Sequence, residues 1–237
     1  MKTLRIKDIE IEIRRKQIKN LHLSVYPPDG LVRASVPEQM RDDALRVYLI
    51  EKLGWIRKQQ EKIRAQERES AREYINRESY YFRGERYLLE IESTSQASYI
   101  ELTPQKMILH MNKGATESTR QRLVNDFYRS HLKKEIPAII ALYEPRLGVK
   151  VEEFGVKQMK TRWGTCNPDA GRIWINLELA KKPPACLEYI VVHEMAHLIE
   201  RSHNQRFTGM MDEHLSLWRK YREELNRLPV RHEHWDY

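Results

Sequence analysis

The sequence predicts an α+β fold in two parts, residues 1–78 and 79–237. Strand-like alternation of apolar and polar residues dominates the first third, and helical spacing of apolar residues dominates the last. Between two stretches of strand pattern lies a long, highly charged helical segment. The expected architecture is an N-terminal antiparallel β region with a long helix, then a small antiparallel sheet packed on one helix and a second helix.

The first elements read as strands. Leu4 to Arg15 and Asn20 to Tyr26 alternate in polarity, and a turn at Pro27 to Gly30 leads into Leu31–Pro37. Beyond Pro37, the spacing of Ala44, Val47, Tyr48, Trp55, Ile56 and Ile63 predicts one long helix with a charged distal end. Strand pattern returns over Ser79–Ser93, with a turn at Arg83-Gly84-Glu85, and continues through Ala97–Pro104 and Lys106–Asn112. Thr116 can cap a helix carrying Leu123, Phe127, Leu132 and Ile136, which Pro137 should kink or end.

Val149–Cys166 holds one or two strands. The turn cluster Asn167–Gly171 joins them to a strand with Ile173, Ile175 and Leu177 on one face, giving a hairpin. Pro183-Pro184 opens a helix that points Leu187, Ile190, Val191 and Leu198 at a core. A second helix carries Phe207, Met210, Met211, Leu215, Trp218, Tyr221 and Leu225. No internal repeat is visible.

Composition narrows the class. Two cysteines, Cys166 and Cys186, exclude a disulfide framework and suit a reducing compartment. No apolar run nears the ~18–20 residues of a membrane helix, so a soluble, cytoplasmic protein is expected. The net charge of +8 comes from 42 Lys and Arg against 34 Asp and Glu. Much of it alternates with Glu between Arg57 and Arg77, as on a solvated helix face, and no nucleic-acid reader motif accompanies it. A weak, salt-sensitive association with nucleic acid is the alternative.

The chemistry concentrates in His193-Glu194-Met195-Ala196-His197. Four residues advance a helix by about 400°, so both imidazoles leave one face a turn apart and can share a tetrahedral Zn2+. Glu194 projects about 100° away, near the ion without being a ligand, where it can act as the catalytic base toward a water. The neighbours Val191, Val192, Met195, Ala196 and Leu198 are apolar, so these polar groups need a partner.

A third ligand must come from a bend. Ser202 and Gln205 form a capping box that would start a new helix at His203, turning it back toward the metal. His203 follows His193 by ten residues, the metzincin spacing, with Glu200 where that pattern has glycine. Glu213 and Glu223 are the carboxylate alternatives. His214 reads as half-buried, and His232 and His234 belong to the terminal segment.

The preceding hairpin offers substrate-binding candidates in Arg162, Trp163, Gly164 and Asn176. Gly164 would sit where backbone approaches something closely, and an edge strand there could pair with an extended substrate. Structural roles compete: Trp163 and Trp174 as core, Cys166 as a small packed residue, Asn176 as a turn residue.

With these motifs in hand, the chain resembles the YgjP-like metal-dependent hydrolases, related to SprT-like and other zincin metallopeptidases. The resemblance spans nearly the whole length. It is carried by Asn20–Pro37, the helix with Trp55-Ile56, Met159–Cys166, Gly171–Ala180, Tyr189–Phe207 and the closing Leu217–Leu225. It implies a zincin-like metallopeptidase domain with metal ligands His193, His197 and His203, Phe207 following, and catalytic Glu194.

Members look like peptidases, and some are described as nucleoside triphosphate pyrophosphatases acting on UTP. That activity would need several Lys or Arg converging on the metal, for which Arg162, Arg172, Arg201 and Arg206 are the candidates. A third possibility is a basic DNA-associated protein with structural zinc. Three ligands plus a glutamate argue against it, because structural zinc takes four protein ligands.

Overall fold

Strand alternation and helical periodicity both materialise in the computed structural model, which describes residues 2–26, 29–65, 72–159 and 162–228. The expected Pro27-Pro28 step and the histidines at 232 and 234 lie outside the described residues. Two compact units emerge, one within residues 1–71 and one over Arg72–Leu228. The class is α+β, with several small sheets and six α-helices among the described residues.

In the first unit, β1 (Lys2–Ile6), β2 (Ile9–Lys16), β3 (His22–Tyr26) and β4 (Leu31–Pro37) form a sheet in the order β1-β2-β4-β3. The two hairpins are antiparallel as expected, but β2 and β4 run parallel, with Ile11 opposite Val32 and Ile13 opposite Ala34. The purely antiparallel expectation is therefore corrected. Burial gives the reason: β4 buries Val32, Ala34 and Val36 on one face and Arg33 on the other, so it takes a central place. Arg33 is matched by Glu12 at 2.7 Å. The half-exposed β3 is left at the edge.

The long helix is in fact two, α1 (Asp42–Glu51) and α2 (Leu53–Ala65), broken at Lys52 (φ −85°, ψ −2°) just before Gly54. The buried stripe is Leu45, Leu49, Leu53 and Ile56. The expected face is mostly outside, with Val47 58% and Trp55 42% exposed. Leucines four apart make the more continuous stripe and win the contact with the sheet.

The second unit begins with β5 (Ser79–Phe82), β6 (Glu85–Ser93), β7 (Tyr99–Leu102) and β8 (Lys106–Met111), in the order β5-β6-β8-β7 with β6 and β8 parallel. This repeats the topology of the first sheet strand for strand. The first turn residue of each leading hairpin, Lys7 and Arg83, has φ 53°. The chain thus contains an internal structural repeat that the sequence does not display. Inward positions are Ile, Val and Ala in one copy and Leu and Met in the other, and connection lengths differ.

Next comes α3 (Glu117–Leu147), capped by Thr116, whose hydroxyl accepts from the Thr119 amide, and closed by Gly148 in the left-handed region at φ 66°. Pro137 lies inside the helix without ending it. The buried stripe Val124, Tyr128, Leu132, Ile136, Ile140, Tyr143 and Leu147 runs past the proline, and this packing outweighs its lost hydrogen bond.

The third sheet sets up the site. β9 (Glu153–Lys157), β10 (Gly164–Asn167) and β11 (Arg172–Asn176) lie in the order β10-β11-β9, with β10 antiparallel and β9 parallel to β11. The expected hairpin is present. β9 is parallel because the chain after it crosses the end of β11, anchored on Asn176, and delivers β10 to the far side. β10 therefore forms a sheet edge.

Behind this sheet lies α4 (Pro184–Ala196), opened by Pro183-Pro184 as expected. Its Leu187, Ile190, Val191, Val192 and Met195 are buried, each worth ~1.5–3 kcal/mol of apolar burial. The expected second helix is two, α5 (Gln205–His214) and α6 (Trp218–Arg227), separated where Leu215 turns to φ −143°, ψ 70°. Phe207, Met211, Leu215, Trp218 and Leu225 are nevertheless all buried. No helix among the described residues is long and apolar enough to cross a membrane.

Candidate metal centre

Helix α4 ends in the site. His193 and Glu194 lie in its last turn, and His197 is its C-cap, with its amide donating to the His193 carbonyl. The helix thus stops at the second histidine, earlier than the expected end near Arg201. The bend that follows is organised by Glu200. Its carbonyl accepts from His197 Nδ1–H at 2.9 Å, and its carboxylate accepts from the amide and hydroxyl of Ser202 at 3.1 and 3.2 Å.

With the Ser202 hydroxyl so engaged, the cap of α5 is Asn204, whose Oδ1 accepts from the Phe207 amide at 3.0 Å. His203 therefore sits just before the cap and not at the first helical position. Even so, the bend returns it to the α4 histidines.

The three Nε2 atoms form a near-equilateral triangle: 3.2 Å between His193 and His197, and 3.1 Å from His203 to each. Two ligands on a tetrahedral ion at ~2.0–2.1 Å stand about 3.3 Å apart, so the donor set fits such an ion. Hydrogen bonds among the rings could not satisfy it. His197 carries its proton on Nδ1, so its Nε2 offers only a lone pair. Among the described residues, these three are the cluster able to hold a metal. Glu213 and Glu223 are exposed and stand outside it, and His214 is half-buried.

Electrostatics suit that role. Burial, reinforced by the charges of His197, His203 and Arg222, pushes the His193 imidazole down to about 3. Burial also lowers His203, with help from His197 and Arg222. Such rings present lone pairs at neutral pH. Glu194 is 5% exposed, and burial raises its carboxyl to about 8, against the opposing charge of Arg162.

Gly164 abuts Glu194: a Cβ there would lie 2.6 Å from the Glu194 Oε1 and 2.7 Å from its Cγ. The expected close approach exists, and its object is the carboxylate. Asn176 is buried and used internally. Its Nδ2 donates to the carbonyls of Met159 and Arg162 at 3.0 and 2.8 Å, while its Oδ1 accepts from the amides of Met159 and Glu178, each at 3.2 Å. The amide side chain thereby holds the lead-in to β10 and has no polar capacity left for a ligand.

Arg162 is exposed, and Trp163 is half-buried, with the Lys182 ammonium 5.9 Å from its ring. Trp174 is also half-buried rather than core, lying under the Lys157 ammonium at 4.6 Å. Burial and the Glu194 charge push the Cys166 thiol up to about 11, so it is unreactive.

A family model, YgjP-like, metallopeptidase domain, matches residues 19–228. The chain belongs to this family. Comparison with curated proteins and with solved structures gave no match. Membership makes it a metal-dependent hydrolase of metallopeptidase type, and the expected resemblance is met over most of its length.

Of the four candidate arginines, two are engaged in ion pairs elsewhere. Arg172 pairs with Glu153 at 3.2 Å and Arg201 with Asp169 at 2.6 Å. Sequence reasoning missed Arg222, whose charge reaches His193 and His203 and whose guanidinium lies 5.4 Å from the Trp218 ring. The four-residue step from buried Trp218 to Arg222 was the available signal. It also missed Glu200 as the organiser of the bend and Asn204 as the cap.

Proposed function

We propose that the chain is a zinc-dependent metallopeptidase in which His193, His197 and His203 hold the ion and Glu194 moves the protons. The observation that carries this reading is the triangle of Nε2 atoms with a buried carboxylate beside it, at the edge of a sheet. Zinc, when bound, supplies Lewis-acid polarisation of the scissile carbonyl and acidifies a water.

The protein's own residues do the rest. Glu194, with its proton affinity raised toward neutral, takes a proton from the attacking water and returns it to the leaving amine. Gly164 leaves room for that carboxylate. The free edge of β10 offers backbone groups to an extended polypeptide, aligning the scissile bond beside Glu194. Arg162 and Trp163 flank the approach, and Asn176 holds the loop that carries them. The free thiols of Cys166 and Cys186 support a reducing, cytoplasmic setting.

A second reading, hydrolysis of nucleoside triphosphates at the same ion, draws support from Arg162 and Arg222, whose charges act on Glu194 and on the histidines. Ion pairing of Arg172 and Arg201 counts against it. The test is a side-by-side assay of zinc-loaded protein on unfolded polypeptides and nucleoside triphosphates. Peptide cleavage abolished in Glu194→Gln supports the first reading. Cleavage of nucleotides alone selects the second, and inertness toward both sinks the hydrolase mechanism.

A further inference from the structure

Metal-ligating histidines ordinarily pass their second ring nitrogen to a hydrogen-bond acceptor, which fixes both tautomer and ring orientation. Here that holds for His197 and fails for His193. His197 Nδ1–H is bound by the Glu200 carbonyl, but His193 Nδ1 is buried with no hydrogen-bond partner among the described residues. Something else must orient the His193 imidazole.

Phe207 is placed to do so. It is 1% exposed, and its ring centroid lies 4.9 Å from that of His193, 4.7 Å from His197 and 4.8 Å from His203. It meets His193 and His203 edge to face and stacks on His197. Among the described residues, no other ring touches all three. Tyr189 meets only His193, at 5.7 Å. The phenyl is itself fixed, because the Asn204 side chain captures its amide at the start of α5. Aromatic pairs of this geometry attract beyond their area of burial, and three of them acting together select ring rotamers.

We infer that Phe207 is the positioning residue of the metal centre, a flat apolar floor that touches all three imidazoles and stands in for the hydrogen bond that His193 lacks. This rests on the metal reading above. The floor preorganises the Nε2 triangle, so ligand rotamers need not be ordered when the ion arrives. It also keeps water off the inner side of the site. A side chain of similar volume without a flat face would fill the core yet leave His193 and His203 free to tilt.

The test uses Co2+ as a spectroscopic probe in the full chain, comparing wild type with Phe207→Met and Phe207→Leu, and with Met211→Leu as a buried control one turn along α5. Wild type and Met211→Leu should give the same intense visible bands of a four-coordinate site. Both Phe207 variants should bind roughly 10–100-fold more weakly, with shifted or weakened bands. Melting of the metal-free proteins shows whether the variants fold, and Phe207→Met is the milder change should Phe207→Leu fail. Wild-type affinity and bands in a folded Phe207 variant overturn the inference alone, as does an equal effect in Met211→Leu. A wild type that takes up no Co2+ or Zn2+ overturns the metal reading and the inference with it.

Discussion

Gly164 and Glu194 are in such close contact that any side chain at position 164 would occupy the space of the carboxylate. The base is thus aimed from two sides, by its own helix and by the backbone of a strand it does not belong to. Gly164→Ala should push the carboxylate away while leaving the three histidines in place. We expect bound metal near that of wild type and a hydrolysis rate lower by about 10²-fold, since small misplacements cost that much. A wild-type rate in this variant would show that Glu194 has slack and that its placement is not set by β10.

Burial of Glu194 also carries a stability signature. Its carboxyl is raised from the ordinary 4.5 to about 8, so the folded state binds the proton more tightly than the unfolded state does. The stabilisation is full below pH 4.5 and is lost as pH rises toward about 8. Glu194→Gln, neutral throughout, escapes that loss. In metal-free protein it should exceed wild type by roughly 1–3 kcal/mol near pH 8, with the gap closing toward pH 4.5. Urea midpoints across this range check it, and a gap that widens toward acid would contradict it.

Asn176 ties the lead-in of β10 to the end of β11 through three hydrogen bonds, to Met159 and Arg162. Asn176→Ala leaves buried backbone groups of Met159 and Arg162 unpaired. It should cost about 2–4 kcal/mol and accelerate amide exchange at Met159, more than at Ile173 in the middle of β11. Uniform acceleration would point to global loosening instead.

His203 comes from the bend, not from α4. His203→Ala should bring zinc below one equivalent by elemental analysis, whereas Glu213→Gln and Glu223→Gln should retain it. Stoichiometric zinc in His203→Ala would transfer the third position to another group.

Much of this was legible in the chain. The His193-Glu194-x-x-His197 spacing on a Pro-initiated apolar helix brought two imidazoles and a carboxylate together from helix geometry alone. Gly164 was recognisable as a close-approach position, although not what approached it. The return of His203 to the α4 histidines was expected for a partly wrong reason: Ser202 seemed the cap, but the Glu200 carboxylate takes its hydroxyl and Asn204 caps instead. Competition between two side chains for one hydrogen bond is a tertiary fact that residue types do not reveal.

Strand order was opaque for the same reason. Antiparallel hairpins announce themselves through turns, whereas the parallel pairings β2–β4 and β6–β8 join strands that no tight turn connects. The repeated sheet escaped notice because topology, not residue identity, is what the two copies share. Phe207 read as ordinary core, which it is; only the ring distances reveal the three histidines above it.

The central claim is that the histidines hold the ion while Glu194 performs the proton transfers. Measuring bound zinc and hydrolysis rate together on Glu194→Gln tests it most directly. The account predicts one equivalent of zinc with a rate lower by about 10²–10⁴-fold. Zinc retained with an unchanged rate, or zinc lost with the carboxylate, would contradict it.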